Sequence, residues 1–220
     1  MTGARDEILR RIRSALTDVP PTERAADVAV TRDYHRRGDR SGAQLVDRLC
    51  RRVSEYDAEV RTVARAEVPD AVAQACAEFG LRRVVVAPGL APEWRPAAIE
   101  IVEDDGLDAE ALDAIDGAVT GCATAIAETG TLVLDGQAAS GRRLITLVPD
   151  HHICIVTADQ IVDLVPEAIA FLAPAVAHER VPVTFISGPS ASSDIELSRV
   201  QGVHGPRHLV VLIVEESAAA

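Results

Sequence analysis

The chain has 220 residues, a formal net charge of −12 at pH 7, 48% hydrophobic residues and only one Trp, two Tyr and three Phe, and all 22 of its basic side chains are arginine. That length suits one domain able to bury roughly 70% of its unfolded surface, and a core of Ala, Val, Leu and Ile is typical of parallel sheets covered by helices. The acidic balance argues against tight nucleic-acid binding, and the absence of lysine excludes Schiff-base chemistry, pyridoxal phosphate attachment and the lysine of a P-loop.

In chain order, Asp6 to Leu16 reads as an amphipathic helix with Ile8, Leu9, Ile12 and Leu16 on one stripe. Asp18 to Arg40, rich in Pro, Asp, Arg and Thr, reads as a linker or arm that can reach a partner subunit. The expected division is therefore residues 1–40, helix and arm, and residues 41–220, an α/β domain. Ser41 to Tyr56 reads as a second helix, capped by Ser41 and striped by Leu45, Val46, Leu49 and Val53. A βαβ-like unit follows: AEVRTVA as a strand, a helix from Pro69 to Gly80, and RRVVVAP as a buried strand. IEIVED reads as a strand and DAEALDAI as a short helix.

AIAETGTLVL then reads as two strand pieces pivoting at Thr129 and Gly130, followed by the Gly/Ser-rich LDGQAASGRR. LITLVP and HHICIV read as further strands, and ADQIVDLVPEAIAFLA as a helix kinked by Pro166. The last segment places VPVTFIS and LVVLIV, which read as two buried strands, around SGPSASSDIELSRVQGVHGP. The expected fold is a doubly wound, mostly parallel α/β sheet with a hairpin insertion. No apolar run approaches the roughly 20 residues of a membrane-spanning helix, and MTGARDEILRRIR lacks the apolar stretch of a signal peptide, so the expectation is a cytoplasmic protein without membrane insertion.

The richest chemistry lies in that last segment and in AETGT. Glu128, at a strand end, can act as base or nucleophile, or simply stabilise its turn. Asp194 and Glu196 can contact a ligand's hydroxyls or open a helix, and His204, between glycines, can serve a site or fix its loop. Thr129, Gly130, Thr131, Ser187, Gly188, Ser190 and Gly205 complete the candidate ligand-binding set, with catalytic roles assigned to Glu128, Asp194 and His204. His151 and His152 point to opposite sides of a strand and make a poor metal pair, while His35, His178 and His208 show no pattern. Cys50, Cys76, Cys122 and Cys154 are widely separated, without the spacing of an iron–sulphur or zinc site, and read as reduced thiols. No metal or cofactor is assigned to the chain. G-x-S-x-G and G-x-G-x-x-G are missing, which argues against a serine hydrolase and an ordinary dinucleotide site. Arginines at positions 10, 11, 13, 36, 37, 48, 51 and 52 read as solvated helix faces or, alternatively, as a surface for an anionic partner.

AIAETGTLVL, RRLITLVPDHHICIV and TFISGPSASSDIELSRVQGVHGP resemble the LUD-domain family of the lactate utilization protein C type. The resemblance covers most of the second half. It implies a fold like the NagB/RpiA/CoA-transferase group and an accessory role beside two iron–sulphur proteins in oxidising L-lactate, with the clusters on those partners and a small, unidentified anionic or hydroxylated ligand at strand ends. The alternative it implies is a free-standing isomerase or acyl/CoA-transferase-like enzyme using Glu128; a non-catalytic scaffold or ligand sensor is a third reading.

Overall fold

A computed structural model describes residues 3–20, 22–24, 29–192, 200–201 and 204–215. Contacts divide the chain into two compact units, Met1–Tyr34 and His35–Ala220. In the first, α1 (Ala4–Ala15) carries Glu7 bonded to Arg10 and Arg11, one turn on, which orders its polar face. Its opposite stripe, Ile8, Ile12 and Leu16, is exposed.

The second unit is built on six strands, all parallel, in the order β1 (Glu59–Ala64), β12 (His208–Glu215), β7 (His151–Thr157), β4 (Gly117–Gly121), β2 (Arg83–Val86) and β3 (Glu100–Glu103). β12 sits between β1 and β7, and Leu209 to Val214 are all buried. Such a run needs cover on both faces, and each fully buried aliphatic side chain contributes roughly 1.5–3 kcal/mol. On one face α3 (Val68–Glu78) packs Val68, Val72, Ala75 and Cys76 over Val84, Val119, Ile153, Ile155 and Leu212. On the other, α2 (Ala43–Ser54) and a smaller sheet cover Cys154, Val156, Val211 and Ile213. The smaller sheet has the order β8 (Ile161–Val162), β5 (Thr124–Ile126), β6 (Thr131–Leu134) and β9 (Thr184–Ile186), and its outer face is closed by α5 (Val165–Glu179) through Ala168 and Leu172. The short α4 (Ala109–Asp113) is capped by Asp108, which accepts from the Ala111 N–H at 2.9 Å.

Several expectations hold. α3 carries Pro69 in its first turn, begins one residue before it at Val68, and ends ahead of Gly80, where φ is +66°; Gly80 N–H donates to Ala77 O and Leu81 N–H to Cys76 O, the paired bonds of a glycine-terminated helix. AETGT turns β5 antiparallel into β6 as expected. The βαβ-like unit holds as parallel strands β1 and β2 of one sheet joined by α3, with β12, β7 and β4 lying between them. Other expectations are corrected. Gly42, not Ser41, caps α2, and no side chain bonds its first turn.

LITLVP is not a strand. Arg143–Thr146 forms a 3-10 turn, held by Thr146 Oγ1 donating to Arg143 O, that lays Ile145 on the sheet face instead of in the ladder. ADQIVDLVPEAIAFLA is not one helix, since Ile161–Val162 leaves it as β8, Pro166 lies in the first turn of α5 instead of kinking it, and Pro174 is the internal proline. The strands around SGPSASSD lie in different sheets: β9 is a half-exposed edge of the small sheet and β12 an inner strand of the large one.

The sheet also holds a buried histidine. His152 Nε2 shares a 2.8 Å hydrogen bond with Thr120 Oγ1, and burial, reinforced by the Arg143 charge, pushes its pKa down to about 4. Below pH 6.5 the unfolded chain protonates this position while the folded one does not, so its contribution to stability falls between pH 6.5 and about 4 and is level outside that window. Urea denaturation of wild type and His152→Gln at pH 7 and pH 5 checks this. The wild type should lose about 2 kcal/mol more than the variant on that shift; equal losses would refute it.

Candidate functional site

The β5–β6 turn starts where the β5–β8 ladder runs on. Ala127 N–H donates to Val162 O at 2.8 Å and Glu128 N–H to Asp163 O at 3.0 Å, so the Glu128 backbone is fixed and its side chain emerges 42% exposed. Gly130 then turns the chain with φ +62°, and a Cβ there would sit 2.7 Å from the Arg52 carbonyl carbon. Only glycine lets this turn rest on the last turn of α2. Beyond it a chain of hydroxyls runs from Thr129 to Thr131 (2.6 Å) and on to Ser187 (2.7 Å), joining AETGT to the end of β9. Gly188, φ +89°, lies so close to Tyr56 that a Cβ would come within 2.5 Å of its Cβ. Both polar turns therefore abut the carboxyl end of α2, one at Arg52 and one at Tyr56.

Beside Glu128 lies a buried acid. Asp163, 2% exposed, receives the Arg48 guanidinium, the Arg40 backbone N–H at 3.3 Å and the Arg40 guanidinium at 3.4 Å. Burial opposes its charge, but the Arg48 bond and the two Arg40 contacts outweigh this and hold the carboxyl below its usual range. Gly38 backs onto Asp163, where any Cβ would overlap the carboxylate. The second Arg48 nitrogen is 3.9 Å from Glu128 Oε1, an ion-pair distance too long for a hydrogen bond.

The other candidates sit elsewhere. Ser190 N–H donates to Pro206 O at 2.8 Å and His204 N–H to Ser190 Oγ at 3.0 Å, which closes the base of the hairpin β10 (Ala191–Ser192) and β11 (Val200–Gln201). Gly205 approaches Thr146, and His204 is exposed. No contact among the described residues joins His204 to Glu128, and Asp194 and Glu196 lie outside the described residues. A ligand outside the carboxyl ends of the large sheet would meet the strand-order reversal between β2 and β4, but the chain covers it: Gly89 N–H donates to Ala138 O (2.9 Å) and Gly121 N–H to Ala139 O (2.8 Å). The smaller sheet presents an accessible polar rim at Glu128, Thr129 and Ser187.

The LUD domain model matches residues 46–214, from α2 through β12. This chain belongs to the LUD-domain family. It is 44% identical over 175 residues, 79% of this chain and 81% of the relative, to a Deinococcus radiodurans protein named Lactate utilization protein C. A Halalkalibacterium halodurans protein of the same name is 28% identical over 203 residues, covering 86% of this chain and 87% of the relative. Among solved structures, a DUF162 family protein from Deinococcus radiodurans superposes with a TM-score of 0.70 at 39% identity, over 80% of this chain and 99% of that one.

Arg48, Glu128 and Asp163 lie within the LUD-matched residues, while Arg40 and Gly38 precede them. Sequence reasoning missed Asp163 and named Arg48 only as part of an arginine-rich helix face, solvated or facing an anionic partner. The available signal was an acid inside the apolar run IVDLV, which burial obliges to find a cation. Sequence reasoning weighed His151 and His208 separately but did not bring them together with Asp150, at the amino ends of β7 and β12, where their ligand atoms lie within 4.8 Å of one another. The two rings stack at 4.5 Å, and Arg207 grips both Asp150 oxygens at 2.7 and 2.6 Å, so a cation would have to displace that bidentate pair.

Asp163→Ala strands the Arg48 guanidinium, itself only 16% exposed, and should cost about 3 kcal/mol in chemical denaturation. Asp163→Asn keeps the volume but offers one oxygen acceptor and turns an amide N–H toward the other arginine's donors, so it should lose most of the same stability; an Asn variant as stable as wild type would mean that side-chain volume, not pairing, is what Asp163 supplies.

Proposed function

We propose that this LUD-domain protein serves L-lactate utilization as an accessory cytoplasmic subunit beside two iron–sulphur proteins, and that it binds a small anionic or hydroxylated ligand at the rim of Glu128, Thr129, Thr131 and Ser187. Similarity to relatives named Lactate utilization protein C carries the lactate assignment. The rim supplies what a hydroxy acid or a sugar-like group needs: an exposed carboxylate to accept a hydroxyl proton, linked hydroxyls that donate or accept, and an arginine 3.9 Å behind the carboxylate.

A division of labour with iron–sulphur partners also suits the thiols. Cys76 packs on one face of the large sheet and Cys122 and Cys154 on the other. Burial pushes the Cys76 thiol up to about 11, while the bond with Cys154, followed by burial, pushes Cys122 up. Cluster ligands are thiolates, so these environments favour structural cysteines, with electron transfer on other chains.

A tagged copy in lactate-grown source cells should co-purify with two iron–sulphur proteins, and deletion of the gene should abolish growth on L-lactate. Unimpaired growth together with no co-purification would overturn the reading.

The exposure of Glu128, whose carboxylate has no hydrogen bond within the described residues, also favours a second reading: an isomerase or acyl/CoA transferase with Glu128 as base or nucleophile. In that case the isolated chain turns over substrate and Glu128→Gln loses activity about 100-fold or more. Turnover retained by Glu128→Gln would dispose of it.

A further inference from the structure

Behind Glu128 the arginines of α2 enclose a cavity of about 270 Å³, lined by Arg40, Arg48, Arg51, Arg52 and Glu55. We infer that this cavity binds the multiply charged end of a small polyanion, a molecule with two or more carboxylate or phosphate groups. The inference rests on the rim reading above and adds the substrate class: the hydroxyl-bearing part would lie at Thr129, Thr131 and Ser187 and the polyanionic part among the arginines.

The first argument is placement. Arg48, Arg51 and Arg52, three and four residues apart, share one face of α2, where like charges repel by a few tenths of a kcal/mol per pair in an isolated helix. Arg40 adds a fourth guanidinium from the segment that crosses Asp163. Such a concentration is unusual in a chain of net charge −12, and a concave cationic surface concentrates anions.

The second argument is how weakly these donors are engaged. Asp163 takes Arg48 and Arg40, but the remaining partners are poor. Arg52 pairs with Glu55 at 2.8 Å with both side chains about half exposed, an arrangement worth about 0.2–1 kcal/mol. Among the described residues Arg51 donates only to the Asp47 carbonyl at 3.4 Å, and no carboxylate pairs with it. Arg48 stops 3.9 Å short of Glu128. A charge-assisted hydrogen bond contributes about 1.5–3 kcal/mol, so an oxyanion gains more from these forks than it loses by displacing Glu55. A monocarboxylate engages one fork; a polyanion spans several. Because Gly130 seats the AETGT turn directly on Arg52, cavity and rim are contiguous.

Isothermal titration calorimetry of the full chain with pyrophosphate and with citrate, against lactate, tests this. Both polyanions should bind at least tenfold more tightly than lactate, weakening as salt rises. Arg51→Gln/Arg52→Gln should lower their affinity at least tenfold with the melting temperature unchanged, and Arg82→Gln, an exposed arginine away from the cavity, should bind as wild type does. No heat at millimolar polyanion, or equal weakening in the Arg82 variant, would overturn the inference. Co-purification with the iron–sulphur proteins reads the accessory role separately: if it persists without polyanion binding, only the cavity assignment fails.

Discussion

A buried carboxylate that must be neutralised organises this end of the molecule. Asp163 follows β8 at a point where burial removes nearly all of its solvent, and an unpaired charge there would be prohibitively unfavourable. Its backbone oxygen fixes Glu128, while its side chain draws in Arg48 from α2 and Arg40 from the segment before α2. One residue thus ties Arg40 and Arg48, 123 and 115 positions earlier in sequence, and the nearer Glu128 around the exposed rim. Gly38 is part of the same constraint, because any side chain at that point would occupy the space of the Asp163 carboxylate.

The packing of the smaller sheet on the larger makes this arrangement possible. α2 reaches both: Val46, Leu49 and Val53 share a cluster with Ala125, Leu132 and Ile161 of the smaller sheet and with Val156, Val211 and Ile213 of the larger. The apolar stripe of α2 therefore fixes its axis, and its arginines necessarily face the β8 end and the AETGT turn. The loop that follows β6 seals the carboxyl ends of β2 and β4, so the strand-order reversal where an open α/β sheet places its ligand is covered here, and the candidate polar rim lies on the second sheet.

What the sequence made legible follows the range of the forces involved. α3, β12 and the AETGT hairpin were readable because their determinants are local: proline at a helix start, glycine in the left-handed region, a continuous aliphatic run. LITLVP was misread because a β-branched run has the same composition whether it enters a ladder or lies across one; Thr146 bonding back to Arg143 decided the matter locally. ADQIVDLVPEAIAFLA was read as one helix because the two residues of β8 are stabilised by pairing with β5, which no local pattern reports. Of the site, Glu128 and its threonines stood out by their neighbours in sequence. Arg48 and Asp163 did not, since arginine on a helix face reads as solvated until a distant acid is placed beside it.

The geometry also sets how free Glu128 is to react or bind. Arg48 has one planar fork and two carboxylates within reach, and the contest is unequal. Asp163, almost wholly withdrawn from water, gains far more from the guanidinium than Glu128, which water already solvates. Arg48 therefore commits its bonding edge to Asp163 and leaves Glu128 at ion-pair distance, close enough to be steadied and too far to be hydrogen-bonded. A lysine could not divide itself this way, because its point charge lacks the second, fixed donor edge that the guanidinium turns toward Glu128. The buried acid thus does more than hold the fold. By monopolising Arg48 it leaves the Glu128 carboxylate without a hydrogen-bonding arginine at the rim of the smaller sheet, beside the arginine cavity.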